Sequence, residues 1–435
     1  MEIRPEEIKN VTENPYDLFF HSINNQASKK LYVSVLKKLV CEYLKFVLKG
    51  DPSLVENTKP GKKRGVQRKY SDADFEVRVN EFLKRSKSNP EWAESVMIAL
   101  AKKLMERARL PIHDSQHIQY STIQNTIKTT KKLFKINNIP MFWTRIDSML
   151  SNEHDIKDKS RGYTRDEIQR ILKHCKPMDA VIVYLGASSG MRAGAFPLKW
   201  GHIFPIYQHE NQYVWEPEDV TESISEKCNA ICGLVKVYAD SNDEYFAFTT
   251  PECLNAIQLY KETWIKETNK IPKLEDPLFK KSGPFVRQLS LDGIRKRMLR
   301  LVESSGVRKH IPGIKEKYEV PLFNGLRRFF NKANKQSFSK QSKLASLILK
   351  ETMMGHSGLI KLDKNYFKEH IDELIEEYVQ SIPFLTISDE ERLILENQKI
   401  NKEKSELEIT RAEMEEMKRE MRLIKKYGKI LPQDQ

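Results

Sequence analysis

The chain has 435 residues, enough for two or three domains with cores of their own. A formal net charge of +14 points to a polyanionic partner, nucleic acid first, with a ribosomal or membrane surface as alternatives. No apolar run reaches membrane-spanning length, the start Met1–Pro5 lacks the form of a signal peptide, and the five cysteines are scattered, so a cytoplasmic protein with reduced thiols is expected. Cys228 and Cys232 are the only close pair, without a histidine or third cysteine at zinc-finger spacing.

Asn14 to about Pro140 is predicted to be all helix. Ser28–Leu48 carries Tyr32, Val35, Leu36, Leu39, Val40, Tyr43 and Leu44 at helical spacing and stops at Gly50. The basic stretch Lys59–Lys69 contains Pro60, Gly61 and Gly65 and is predicted to be a loop. Further helices are expected over Asp72–Arg85, from Pro90 behind an Asn89 cap to about Arg109, and over Ser121–Asn137. Four amphipathic helices of this size make one small bundle. Lys128, Lys131, Lys132 and Lys135 on the last helix are either a solvated face or phosphate contacts.

Asp147–Arg161 is polar and predicted to be a linker. Thr164 and Glu167 then form a capping box ahead of Ile168, Ile171 and Leu172. Asp179–Ala187 is nearly all apolar and should be a buried helix. Tyr213–Trp215, Gly233–Ala239 and Glu244–Thr249 alternate as strands, with a turn at Ser241–Asp243, and predict a three-stranded antiparallel sheet. Glu252–Thr268 is expected to be helical. Ser290–Val302 reads as a basic amphipathic helix whose Arg295, Lys296, Arg297 and Arg300 could face a major groove. Lys340–Lys350 and Glu369–Gln380 are predicted helices. Ser381–Ile387 is a short apolar segment that docks on either a neighbouring protomer or its own domain. From Asp389 onward one long charged helix is expected, with Leu393, Ile400, Leu407, Met414 and Met421 every seven residues, and a coiled coil or a single solvated helix as its two readings.

Four short boxes carry the chemistry. Arg192 follows the apolar helix and its Ser188-Ser189-Gly190 turn. Arg327 and Arg328 open another helix just after Asn324. His356 lies in Gly355-His356-Ser357, and Tyr366 follows one segment later. A guanidinium binds a phosphate through two parallel hydrogen bonds, a phenol can be a covalent nucleophile, and a histidine can donate to the phosphate or move a proton. Singly, Arg192 could cap a turn, Arg327 could pair with an acid, His356 could start a helix and Tyr366 could be core, with Tyr378 as a competing tyrosine.

In this order and context the boxes resemble the tyrosine recombinases (phage-type integrases), over roughly Asn14 to Thr386 and strongly only at the boxes. Asn324 stands where that family usually has histidine, and Ala193-Gly194-Ala195 where an acidic residue usually follows the arginine. Asparagine can hold a phosphate oxygen but cannot exchange a proton at neutral pH. So proton transfer is arranged differently here, or the site is weakened.

The resemblance implies a mostly α fold with a small antiparallel β-sheet. A four-helix core-binding domain (1–146) would be joined by a linker (147–161) to an α/β catalytic domain (162–387), with the long helix at 388–435. It implies site-specific cleavage and rejoining of double-stranded DNA, without metal, ATP or other cofactor, by a homo-tetramer on two DNA sites. Tyr366 would be the nucleophile of a 3′-phosphotyrosyl intermediate. Arg192, Arg327 and His356 would hold the phosphate, with Asn324 positioning it, and Lys236 in the sheet would be the acid for the leaving 5′-oxygen. The Leu-Arg pattern puts the phosphate role on Arg327 rather than Arg328. A virus or mobile element is the expected source. The alternatives are a type IB topoisomerase and a DNA-binding protein with a decayed recombinase site.

Overall fold

The computed structural model describes residues 14–44, 72–111, 114–150, 160–210, 212–216, 220, 224, 228–310, 318–337, 343–356 and 371–427. Among these, residues 14–150 form one compact unit and residues 160–427 another. The chain is mostly helical with one small antiparallel sheet. No described helix is long and apolar enough to cross a membrane.

The first unit contains helices α1 (Pro15–His21), α2 (Gln26–Lys38, followed by a π-helical turn at Leu39–Tyr43), α3 (Asp72–Ser88), α4 (Pro90–Arg109), α5 (Tyr120–Ile136) and α6 (Trp143–Ser148). The predicted cap of α4 is present: the Asn89 side chain accepts from Trp92 N at 2.9 Å, and Pro90, which has no N–H to leave unpaired, takes the first turn. Phe19, Leu36, Phe82, Leu100, Ile127 and Phe134 come together as the bundle core. The two short helices are additions to the four expected ones, too brief for a periodic pattern. Asn14 caps α1 and also accepts from Asn80 Nδ2 at 3.0 Å, tying α1 to α3. Of the four lysines on α5, Lys128 and Lys135 are exposed. Lys131 pairs with Asp147 at 2.6 Å, and Lys132 donates to Ser22 O at 3.2 Å. The basic stretch 59–69 lies outside the described residues.

In the second unit, α7 (Arg165–Leu172) starts at the predicted capping box. Thr164 Oγ1 accepts from Glu167 N at 3.2 Å, and Glu167 accepts from Thr164 N at 2.8 Å. Arg161 clamps the same Glu167 through two bonds of 2.7 and 2.8 Å. The apolar helix α8 (Pro177–Ser189) lies at the centre, and for that reason it is apolar on every side. It packs on α9 (Pro251–Thr268), on α11 (Leu322–Gln336), on α10 (Leu291–Ser304) and on the sheet.

That sheet has four antiparallel strands, β1 (Ile203–His209), β2 (Gln212–Val214), β3 (Cys232–Val237) and β4 (Tyr245–Thr249), in the order β2-β1-β3-β4. The sequence pattern predicts three. The missing one is β1, whose Pro205 speaks against a strand interior. The structure explains why proline fits: β2 pairs only with residues 207–209, so at Pro205 the strand has a neighbour on one side alone.

Helices α12 (Lys343–Met353), α13 (Ile371–Leu385) and α14 (Asp389–Tyr427) complete the unit. The apolar segment Ser381–Ile387 packs back on its own unit, with Ile382, Leu385 and Ile387 buried. Glu252, in the first turn of α9, accepts from Ile387 N at 2.8 Å and Ser388 N at 2.6 Å, and Arg165 donates to Thr386 O and Phe384 O at 2.9 Å each. These bonds fasten the junction from which α14 departs.

Candidate active site

The site is built where α8 ends. Ser188 and Ser189 turn their hydroxyls back onto the carbonyls of Tyr184 and Leu185, closing the last turn. Gly190 then takes φ +60°, and a Cβ there would run into the Phe330 ring of α11. This left-handed, tightly packed position suits glycine alone. The reversal presents Gly190 O to α11 and sends Arg192 out to solvent.

Arg327 comes from α11. It donates through Nη1 to Gly190 O and through Nη2 to Met354 O at 2.9 Å and His356 Nε2 at 2.5 Å. Arg192 donates to Gly355 O at 3.1 Å. The two guanidiniums therefore converge on one turn, Met354–His356, after α12. Burial, then the charge of Arg192, lowers the Arg327 guanidinium below its ordinary pKa. Neither arginine has an ion pair with a carboxylate among the described residues.

His356 is exposed, and its Nδ1 bonds Glu351. Glu351 in turn meets Lys350 Nζ at 2.7 Å, and Lys350 donates to Asn331 Oδ1 at 2.8 Å. Burial pulls the Glu351 carboxyl upward, but its bonds from Lys350 and His356 outweigh that and hold it below the ordinary range. A chain of polar contacts thus runs from buried Lys350 through Glu351 and His356 to Arg327.

Asn324 lies one turn ahead of Arg327 on the same helix and is exposed. Arg328 points elsewhere: it bonds Ser160 through the carbonyl and, at 2.7 Å, the hydroxyl. Lys236 lies on β3 opposite Phe246, with Nζ 3.7 Å from Glu244. Side chains alternate along a strand, so Lys236 is on the opposite face from Tyr245, whose partner is Val237. It is not brought to the arginines in this arrangement. Tyr366 and Ser357 lie outside the described residues. Tyr378, the competing tyrosine, is fully buried, stacks on Phe248 and donates to Ser188 O at 2.9 Å. On α10, Arg297 is held by Asp179 at 2.9 Å, while Arg295, Lys296 and Arg300 are exposed.

Two site residues have no motif in the sequence. Glu351 looks like any helical acid, and its contact with His356 depends on the turn after the helix, which no sequence spacing reveals. Tyr245 looks like an ordinary strand aromatic. Its ring lies under Gly355, which has φ +65° and where a Cβ would come within 2.5 Å of that ring. Its hydroxyl is closed off from solvent, makes no well-aligned hydrogen bond among the described residues and lies in the field of Arg327. Burial pushes this phenol up to about 12, against the pull of Arg327.

Among the described residues, no group of three or more His, Cys, Asp or Glu is placed to hold a metal ion. Chemically, the cluster offers two cations and a histidine on one turn, which suits an oxyanion with several oxygens.

No family model matches the chain, and no curated protein matches it. Among solved structures, XerA recombinase is similar at a TM-score of 0.30 and 15% identity, covering 68% of this chain and 98% of that one. The XerH site-specific recombinase bound to its difH substrate, in a pre-cleavage complex, is similar at 0.38 and 14%, covering 69% and 77%. A lambda integrase tetramer bound to a Holliday junction is similar at 0.36 and 12%, covering 82% and 85%. What the cluster can do follows from its own side chains.

Proposed function

We propose that the chain is a site-specific tyrosine recombinase that cuts and rejoins double-stranded DNA. The observation that carries this reading is the convergence of Arg192, Arg327 and His356 on the turn Met354–His356, with no carboxylate paired to either guanidinium among the described residues. The order of the boxes in the sequence supplies the nucleophile. Tyr366 Oη attacks the scissile phosphorus in line and passes its proton to His356 Nε2, the bond to the 5′-oxygen breaks, and that oxygen leaves as a 5′-hydroxyl after taking a proton. The DNA 3′-phosphate stays on the tyrosine, and a 5′-hydroxyl of another strand reverses the step. Arg192 and Arg327 neutralise the charge that builds on the non-bridging oxygens, the dominant effect in such chemistry. Lys236, on the other face of β3 in this arrangement, would donate the leaving-group proton after releasing Glu244 and after the β3–β4 hairpin rearranges on DNA. Assembly as a homo-tetramer on two DNA sites, and service to a virus or mobile element, belong to the same proposal.

The test uses nicked duplexes drawn from DNA flanking the protein's own gene, with covalent protein–DNA adduct read on a denaturing gel. An adduct that needs Tyr366 and forms only on certain sequences is the expected result. An adduct on any sequence, with relaxation of arbitrary supercoiled DNA, would make the chain a type IB topoisomerase. Salt-sensitive binding without adduct on any duplex would favour a binding protein with a decayed site, to which Asn324 and Ala195 would then belong.

A further inference from the structure

Helix α14 leaves the body of its unit almost at once. Leu395 still packs against the core, but every described side chain from Glu396 to Lys425 is exposed. Exposed with them are the apolar residues spaced by seven, Leu393, Ile400, Leu407, Met414 and Met421, between 42% and 61% accessible. With these as heptad position a, Thr410, Met417 and Ile424 fall at d, so the stripe becomes a full two-position apolar seam from Met414 to Ile424, with the polar Thr410 ahead of it.

The charges beside the seam say what covers it. Glu413 and Glu420 fall at g; Arg411, Lys418 and Lys425 fall at e. In a parallel pair, each g residue meets the e residue five positions on in the other helix. Glu413 would face the other copy's Lys418, and Glu420 its Lys425, each attractive and each made twice. The sequence repeats the relation at Glu406 and Arg411. In an antiparallel pair, g faces g and e faces e, which would set glutamate against glutamate and lysine against lysine. A spacing of five is also one no single helix uses to pair side chains, since helical neighbours are three or four apart.

We propose that α14 is a homodimerisation element: residues 407–425 pair with the same segment of a second copy in a parallel two-stranded coiled coil. The proposal stands on the helix alone and is independent of the chemistry assigned to the site.

The test is sedimentation of the full-length chain, without DNA, at micromolar concentration. The wild type should be at least dimeric, and Met414→Glu/Met421→Glu should weaken self-association by more than about a hundredfold, because charge is forced into the seam. Far-UV circular dichroism should show the rest of the chain intact, since both positions are exposed. Glu413→Lys/Glu420→Lys should dissociate likewise, and mixing it with Lys418→Glu/Lys425→Glu should restore a mixed dimer. Orientation is read by oxidising a Met421→Cys chain beside the wild type. Parallel helices bring the two positions together and give a new disulfide-linked dimer, whereas antiparallel pairing of the same segment holds them about 15 Å apart along the axis at 1.5 Å per residue, beyond disulfide reach. A monomeric wild type, an assembly untouched by the seam variant, or a dimer that Met421→Cys cannot lock would each overturn the proposal.

Discussion

Arg327 donates to His356 Nε2 at 2.5 Å, and the other ring nitrogen of His356 bonds Glu351. A guanidinium can only donate and a carboxylate can only accept, so the ring is neutral with its proton on Nδ1. Glu351 therefore fixes the tautomer, and once Arg327 turns to the phosphate Nε2 would be free to take the Tyr366 proton and then donate to a phosphate oxygen. Glu351→Gln frees the ring to adopt the other tautomer. DNA affinity should hold within about threefold while adduct formation slows by about tenfold or more, measured on nicked duplex in single-turnover assays.

The adjacent arginines should separate cleanly. Arg327→Ala removes a guanidinium from the developing charge and should slow adduct formation by about 10²–10³. Arg328→Ala loses the bonds to Ser160, away from the phosphate cluster. It should cleave at nearly the wild-type rate and cost about 1–2 kcal/mol in denaturant unfolding. Equal loss of cleavage in both variants would sink the assignment.

Two tyrosines can be tested in the same gel. Tyr366→Phe should abolish the adduct and leave DNA binding nearly unchanged. Tyr378→Phe should keep the adduct, because its hydroxyl is spent on Ser188 O inside the core. Its cost is one buried hydrogen bond, about 1 kcal/mol of stability.

Lys236→Ala tests the leaving-group proton. The variant should be slow on ordinary DNA and recover on a duplex with sulfur in place of the 5′-bridging oxygen, because a thiolate leaves without an acid. Slow cleavage of both substrates would move the acid elsewhere and make the contact with Glu244 the purpose of Lys236.

The junction of α13 and α14 has its own pH dependence. Burial raises the Glu252 carboxyl from an ordinary 4.5 to about 7, despite two backbone N–H donors. Between these values the folded chain holds a proton that the unfolded chain has lost, so stability falls as pH rises through that window. The wild type should lose on the order of 2 kcal/mol relative to Glu252→Gln between pH 4.5 and 7, read from urea midpoints.

Much of the site was legible because its residues sit in short local contexts. Leu326 ahead of Arg327 separates it from Arg328, and the structure sends the two side chains in different directions. Helices with strong periodicity or a cap, such as those opened by Asn89 and Thr164, begin where the sequence places them. What escaped depends on long-range pairing. Strand β1 hides behind Pro205 because a one-sided neighbour is a property of the sheet, not of the residue. Tyr245 and Glu351 gain meaning only from the turn that brings Gly355 and His356 to them. Lys236 is the reverse case: residue type and strand suit the acid, and alternation puts it on the other face.

The carbonyls of Met354 and Gly355 each hold one guanidinium nitrogen, of Arg327 and of Arg192. An anion that claims those two nitrogens must displace the carbonyls, so its net gain there is the difference between two sets of bonds. A lone phosphate or free nucleotide brings nothing else to that exchange and should be a poor competitor. A duplex brings contacts along its whole length, and that remote binding can offset the displacement. The turn thus works as a built-in screen that favours long DNA over the small phosphates of the cell.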